Sequence, residues 1–419
     1  MSCCDAGAMS VQEALNTMLA QITPVSECVT VSLANSQGHI LAEDVLSPLN
    51  MPPFDNSAMD GYAFRFAEWV EGQALAIAGT ALAGQPFSGE IPAGACLRIM
   101  TGAQVPAGLD TVIMQEHTAQ TPEGVLFTQP PKAKANIRYL GEEIRTGDVV
   151  LKAGSRLHAR ALPLLATLGL PEVKVRRRLK VAIFSTGDEL KLPGSPLQAG
   201  EIYDSNRYGI EAMLNRMGIE CLNLGIIPDD PAQLRDTFMQ AAQSADAIIT
   251  SGGVSVGEAD YTKDLLLELG EVGFWSVAMK PGKPFAYGKI KEKYFFGLPG
   301  NPVSGMVCFE QLVIPALRRM MGHTKLFRRT LEAQTAHSVN IRPGRTDFIR
   351  VRLERDAQGS YVAWTTGNQS SGALLSMAQA DALLIVPATS SGIAAGERAI
   401  VQLLDGMTYQ DEAGFEEHV

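Results

Sequence analysis

Positive charge is what this 419-residue chain is short of: 35 Lys+Arg stand against 45 Asp+Glu, a formal net charge of −10. That balance leaves no electrostatic footprint for a nucleic acid or an anionic membrane. A disulfide framework is missing too. The six cysteines (Cys3, Cys4, Cys28, Cys96, Cys221 and Cys308) form no Cys-x-x-Cys, and a chain of this length needs no such staples. The six histidines are scattered, with neither His-x-His nor His-Glu-x-x-His, which argues against zinc. No apolar run approaches the ~18 residues of a membrane-spanning helix, and the N-terminus has no basic stretch leading into an apolar one. The expectation is a soluble, cytoplasmic protein that binds neither nucleic acid nor membrane.

What is present is the composition of a folded protein, 46% hydrophobic and 19% charged, with 40 glycines and 23 prolines to specify turns. At roughly 150 residues per domain, the length predicts two to four domains. Ser10-Val11-Gln12-Glu13 has the capping-box pattern, and Val11, Ala14, Leu15, Met18, Leu19 and Ile22 recur at helical spacing, so a helix is expected over about 11–22. From Val29 to about Val150, short strands broken by Gly and Pro predict a β-rich region, before a helix over Ala159–Leu168. The run Arg176-Arg177-Arg178 marks a boundary and reads as a solvated linker.

Beyond it, strands and helices alternate. Strands are expected at Leu179–Phe184, Cys221–Ile227, Ala245–Thr250 and Tyr294–Leu298. Helices are expected at Tyr208–Met217, Pro231–Ala242, Tyr261–Leu269 and Ser304–Met321. A mostly parallel α/β sheet with helices on both faces is the economical solution, with ligands at the carboxyl ends of the strands. After about Leu326, the runs Phe348–Leu353, Tyr361–Trp364, Ala382–Val386 and Ala399–Leu403 predict a small β-barrel.

Three strand ends in the α/β region carry the chemistry. The first reads Ser185-Thr186-Gly187-Asp188-Glu189. The third runs from Ser251-Gly252-Gly253 through Ser255 and Glu258 to Asp260-Tyr261. The fourth reads Leu298-Pro299-Gly300-Asn301-Pro302. Each pairs glycine or small hydroxyl residues with an expected following helix, whose free N–H groups and dipole favour an anion. Three such turns at one end of a sheet point to a phosphorylated ligand. Asp188, Glu189, Asp204, Asp229, Asp230, Glu258 and Asp260 gather at the same end. Carboxylates beside a phosphate need a bridging divalent cation, which implies Mg²⁺; the alternative is that several are helix N-caps, Asp230 before Pro231 among them. In Lys280-Pro281-Gly282-Lys283-Pro284, two lysines flank a stiff turn and suggest anion binding. Gly253-Val254-Ser255-Val256-Gly257 matches the nucleophile-elbow pattern, but no histidine follows in a strand-end loop. A Walker A loop is absent.

Together with Phe54–Ala63 and Arg98–Ala103 in the β-rich region, these motifs resemble the molybdopterin molybdenumtransferases, the family that includes the gephyrin E domain. The resemblance spans essentially the whole chain. It implies insertion of molybdenum from molybdate into adenylylated molybdopterin, with release of AMP and completion of the molybdenum cofactor. Two alternatives stay open: a non-catalytic dimeric scaffold of the same fold, and a molybdopterin adenylyltransferase.

The resemblance also implies a homodimer of four-part subunits: a mixed helical part (1–50 with 140–176), a β-rich part (51–139), an α/β molybdopterin-binding part (177–326) and a C-terminal β-barrel (327–419). The site would lie between the α/β part of one subunit and the β-rich part of the other. Asp60 and Thr101 would come from the β-rich side, and Glu189, Asp229, Asp260, Lys280, Lys283, Pro299 and Pro302 from the α/β side. Ser185, Thr186, Gly187, Asp204, Ser251, Gly252, Gly253, Ser255, Gly300 and Asn301 would hold the substrate, and Asp229 with Asp260 would hold Mg²⁺. A molybdopterin adenylyltransferase and molybdoenzyme maturation proteins are the expected partners. The chain departs from the family at Glu143, where an aspartate is usual, and at Ser276, where a basic residue is common.

Overall fold

A computed structural model describes residues 8–253 and 261–404. The chain forms two compact units, one of Thr30–Gln37 and Leu41–Val175, the other of Met1–Val29, Gly38–Ile40 and Arg176–Val419. The first helix, α1 (Val11–Gln21), starts where its sequence places it. Ser10 Oγ accepts from the Glu13 N–H, and Glu13 Oε2 accepts from the Ser10 N–H at 2.9 Å, the reciprocal capping box.

In the first unit, β1 (Gly61–Phe64), β2 (Ala76–Ala81), β3 (Ala95–Ile99) and β4 (Thr111–Met114) form a sheet in the order β2-β3-β1-β4. Strand β1 is buried along its length because both faces are covered. Ala63, Leu97, Ile99 and Val112 pack on one face, and Tyr62, Phe64, Cys96 and Ile113 on the other. Gly61 is needed for the close pairing, since a Cβ there would lie 1.8 Å from the carbonyl oxygen of Ile113. Gly61 pairs with Ile99 of β3, so the residues just outside both strands, Asp60 and Thr101, become neighbours. The helix α2 (Ala161–Thr167) packs Leu165 against Leu41, Leu157, Val173 and Val175 in a separate small core.

The second unit is built on a six-stranded sheet of β5 (Lys180–Thr186), β6 (Glu220–Ile227), β7 (Ala247–Ser251), β8 (Gly270–Ser276), β9 (Pro284–Ile290) and β10 (Lys293–Leu298), in the order β6-β5-β7-β10-β9-β8. The first four strands of that order are parallel, and β9 and β8 are antiparallel additions at one edge. Helices α3 (Asn206–Met217) and α6 (Pro302–Cys308 continuing through Ile314–Met320) share one face with α1. Helices α4 (Pro231–Ser244) and α5 (Tyr261–Leu269) cover the other. Alternation along β5 sends Val181 and Ile183 to the first core and Ala182 and Phe184 to the second. Asp230 caps α4, its carboxylate accepting from the Gln233 N–H at 2.8 Å.

Five further strands, β11 (Thr330–Thr335), β12 (Thr346–Arg355), β13 (Tyr361–Thr365), β14 (Ala382–Val386) and β15 (Arg398–Leu403), close into a barrel in the order β12-β13-β11-β15-β14. The barrel closes because β14 also pairs with β12. Its interior is Ala333, Val351, Ala363, Leu384 and Val401.

Two sequence expectations are corrected. The turn after β5 enters no helix; it leads into a two-residue ladder between Leu190–Lys191 and Ile202–Tyr203. Pro193, Gly194 and Pro196 lie in that connection and stop helix propagation. The helix expected as unbroken over Ser304–Met321 contains a π-helical turn at Phe309–Val313, just before Pro315, whose missing N–H such a turn accommodates.

Candidate functional site: a crevice at the strand ends

Strand register puts the three motif-bearing ends side by side, with Ser185 of β5 opposite Ser251 of β7 and Ser251 opposite Leu298 of β10. They open on one crevice of about 600 Å³. Ser185, Thr186, Gly187 and Glu189 come from the first end, and Ser251, Gly252 and Gly253 from the second. Pro299, Gly300, Asn301 and Pro302 come from the third, while Asp204 and Asp229 line it from flanking connections. Sequence reasoning missed Asn206 and Tyr203, which also line it.

Glycine is required here sterically. Gly252 has φ +91°, and a Cβ on it would lie 2.6 Å from the Thr186 carbonyl oxygen. Gly253 has φ +65°, and its Cβ would meet Thr262 Oγ1 at 2.4 Å. Both conformations are ones that L side chains rarely adopt. The backbone therefore lines the crevice, though not with every donor the motif suggests: the Gly252 N–H already donates to the Leu298 carbonyl at 3.1 Å. Thr186 Oγ1 is the opposite case, buried with no hydrogen-bond partner.

Charge in the crevice is negative. Asp229 sits with Asp188 and Glu189 close by, and its carboxyl titrates above the ordinary range, first through desolvation and then through repulsion by those two acids. The Asp229 N–H donates to Asp188 Oδ1 at 3.2 Å, which holds the acids together. Asp204 differs. It is buried, accepts from Ser185 Oγ at 3.0 Å and pairs with Arg207 Nε at 2.8 Å. Among the described residues, no group of three or more His, Cys, Asp or Glu encloses a metal position. Asp188, Glu189 and Asp229 nonetheless supply hard carboxylate oxygens, the donor type that Mg²⁺ takes.

The other expected residues are distributed as follows. Asp60 Oδ1 accepts from the Thr101 N–H at 2.7 Å and from Thr101 Oγ1 at 2.8 Å, and these two bonds hold its carboxyl below the usual range. Lys280 lines a second cavity of about 450 Å³ with Arg342, Arg345 and Asp347. Lys283 is half-buried, and its carbonyl accepts from the Val277 N–H at 3.0 Å. Gly282, between the lysines, has φ +108°, and a Cβ there would lie 2.5 Å from Cys308 Sγ. Glu143 is exposed, and Ser276 pairs with Pro284 at the end of β8. Ser255 and Asp260 lie outside the described residues.

A crevice at the carboxyl ends of parallel strands, glycine-lined and rimmed by acids, together with a closed five-stranded barrel and a β-rich unit, defines a multidomain α/β protein with a crevice of small-ligand size at the strand ends of its sheet. Comparison with known proteins makes this specific. The family model described as MoeA N-terminal region (domain I and II) matches residues 9–169. A probable molybdopterin binding domain matches residues 182–319, and the MoeA C-terminal region (domain IV) matches 332–404. A molybdopterin molybdenumtransferase of Haemophilus influenzae is 41% identical over 397 residues, covering 94% of this chain and 98% of the relative. One from Nostoc sp. is 36% identical over 381 residues, covering 88% and 87%. Two crystal structures of the molybdopterin biosynthesis MoeA protein of Pyrococcus horikoshii align with TM-scores of 0.80 and 0.82 at 33% and 28% identity; each alignment covers 95% of this chain and 100% of theirs. The chain belongs to the molybdopterin molybdenumtransferase family, a family of transferases in molybdenum cofactor biosynthesis.

Proposed function

We propose that the protein transfers molybdenum from molybdate to the dithiolene of molybdopterin. The observation that carries the reading is the crevice itself, where three strand ends converge on glycine backbone and buried hydroxyls with room for a pterin-sized anion. The relatives' shared name supplies the reaction. In finer detail, the pterin enters adenylylated and AMP leaves as the metal is inserted. The Thr186 and Ser251 hydroxyls and the Gly253 backbone hold the phosphates. Glu189 and Asp229, with Asp260, orient the substrate.

Mg²⁺, held by Asp229 and Asp260, would supply charge neutralisation at the phosphoanhydride. Lys280, Lys283 and the Asp60–Thr101 pair complete the set of site residues. Because the dithiolene sulfurs become the metal ligands, the protein's share of the rate is positioning and electrostatic stabilisation. The working assembly is a cytoplasmic homodimer.

The test is AMP release from adenylylated molybdopterin with Mg²⁺, with and without molybdate, for the wild type and Asp229→Asn. Molybdate-dependent release that the substitution abolishes supports the reading. A folded protein that binds molybdopterin yet releases no AMP with molybdate sinks it.

A further inference from the structure

The entry into α3 touches all three strand ends. Asp204 takes the hydroxyl of Ser185, and two residues on, Asn206 Nδ2 donates to Ser251 Oγ at 2.7 Å and to the Gly300 carbonyl at 2.8 Å. The orientation of that amide is unambiguous, because a carbonyl can only accept, so the atom facing Gly300 must be the nitrogen. Both amide hydrogens are then used. Ser251 Oγ receives one of them, and its own hydrogen is left to point elsewhere. Ser185 is the mirror case, since its hydrogen goes to the Asp204 carboxylate and only lone pairs remain. Two serines facing each other in register therefore offer a ligand opposite polarities.

We propose that Asn206 is a positioning residue that fixes the Ser251 hydroxyl as a hydrogen-bond donor to the anionic end of the ligand, while Asp204 fixes Ser185 as an acceptor for a donor group of the same ligand. The inference rests on molybdopterin as the ligand. Its terminal phosphate is the anionic group that Ser251 would meet, and its pterin N–H groups suit Ser185. Asn206 also ties the Ser251 end to the Gly300 turn, so one side chain sets both the spacing of the crevice walls and the direction of a proton within it.

The test is a double-mutant cycle read by equilibrium binding of molybdopterin to the full chain, with thermal melting alongside. Asn206→Asp keeps the shape but turns the donor into an acceptor that captures the Ser251 hydrogen, so affinity should fall about 30-fold, against about 5-fold for Asn206→Leu. Ser251→Ala should cost about 10-fold in the wild type and almost nothing on top of Asn206→Asp, since the donor is already lost there. Plain repulsion of the phosphate by the new carboxylate would leave the two effects additive, and that overturns the proposal. So does an Asn206→Asp protein that binds as well as Asn206→Leu. Should Asn206→Asp fail to fold, the cycle with Asn206→Leu decides: there the Ser251→Ala effect should shrink, and an undiminished effect is fatal. Wild-type protein that does not bind molybdopterin overturns the functional reading as a whole, an outcome separable from failure of the coupling.

Discussion

Two cavities of the α/β-and-barrel unit meet charge in opposite ways. The strand-end crevice is walled by glycine backbone, prolines and hydroxyls, with acids at its rim. The second cavity gathers Lys280, Arg342 and Arg345 around one buried carboxylate, Asp347, which lies 3.4 Å from Lys280 Nζ. A wall of dipoles discriminates by shape, because a backbone N–H or a hydroxyl rewards only an atom in the right place. A cluster of cations attracts any anion and is weakened by salt. Shape is thus the part of the design that a single methyl group can destroy, and charge the part that pH and ionic strength should tune.

The largest effect should come from Gly252→Val. Its φ of +91° and a Cβ contact of 2.6 Å with the Thr186 backbone leave no room to relax. Backbone strain of this kind costs about 3 kcal/mol. Urea unfolding should show that loss, and molybdopterin binding should fall at least 100-fold. A variant that binds normally would mean the strand-end turn is not the ligand wall.

Lys280→Met probes the charged cavity. Burial raises the Asp347 carboxyl above the ordinary range, and Lys280 pulls it back down. A raised carboxyl favours folding in its protonated form, so the native state is penalised as pH rises through the folded value. Removing Lys280 enlarges that penalty. Breaking a fully buried pair costs roughly 3–5 kcal/mol, but Lys280 is 54% exposed, so about 1 kcal/mol is expected at neutral pH. The difference from the wild type should vanish as pH falls below the unfolded aspartate value; a pH-independent difference would point to lost packing.

Asp229→Asn should have a smaller effect of opposite sign. Asp229 titrates high because it is desolvated and faces Asp188 and Glu189. Neutralising it should stabilise the cation-free protein by about 0.5 kcal/mol at neutral pH, after allowance for solvent screening, while activity is lost. Melting curves without added divalent cation measure it. Destabilisation would show that Asp229 is held by contacts rather than strained by charge.

These contrasts differ in how far the sequence announces them. Local chemistry reads directly: Ser10 and Glu13 form the capping box, Asp230 caps α4, and glycine-bearing turns follow β5, β7 and β10, because each is decided within a few residues. What depends on distant partners does not read. Strand β11 (Thr-Leu-Glu-Ala-Gln-Thr) buries only Ala333 and Thr335 and offers no hydrophobic pattern to find. The antiparallel β8 and β9 are broken by glycine and proline and form strands only because β10 supplies an edge. Asn206 looks like any polar residue opening a helix; its importance comes from Ser251 and Gly300, 45 and 94 residues away. Lys280 stands out in the sequence beside its stiff Pro-Gly turn, yet the cavity it lines depends on Arg342 and Arg345 of the later barrel region.

The smallest effect, and the sharpest in mechanism, belongs to the β-rich unit. The Asp60 carboxyl is held low chiefly by the Thr101 N–H and next by the Thr101 hydroxyl, with Arg98 a minor influence. Thr101→Val removes the hydroxyl and keeps the N–H. The Asp60 carboxyl should therefore rise only part of the way to its ordinary value, observable by carboxyl NMR titration, and Thr101→Ser should leave it unmoved. A depressed carboxyl contributes stability above the unfolded value and loses it as pH falls through the folded one. The wild type should accordingly be the more stable at neutral pH, and the two proteins should converge in acid. A full return of the carboxyl to the ordinary range would mean the backbone bond was held in place by the hydroxyl. In that case Thr101 orients the Asp60 loop as well as donating to it.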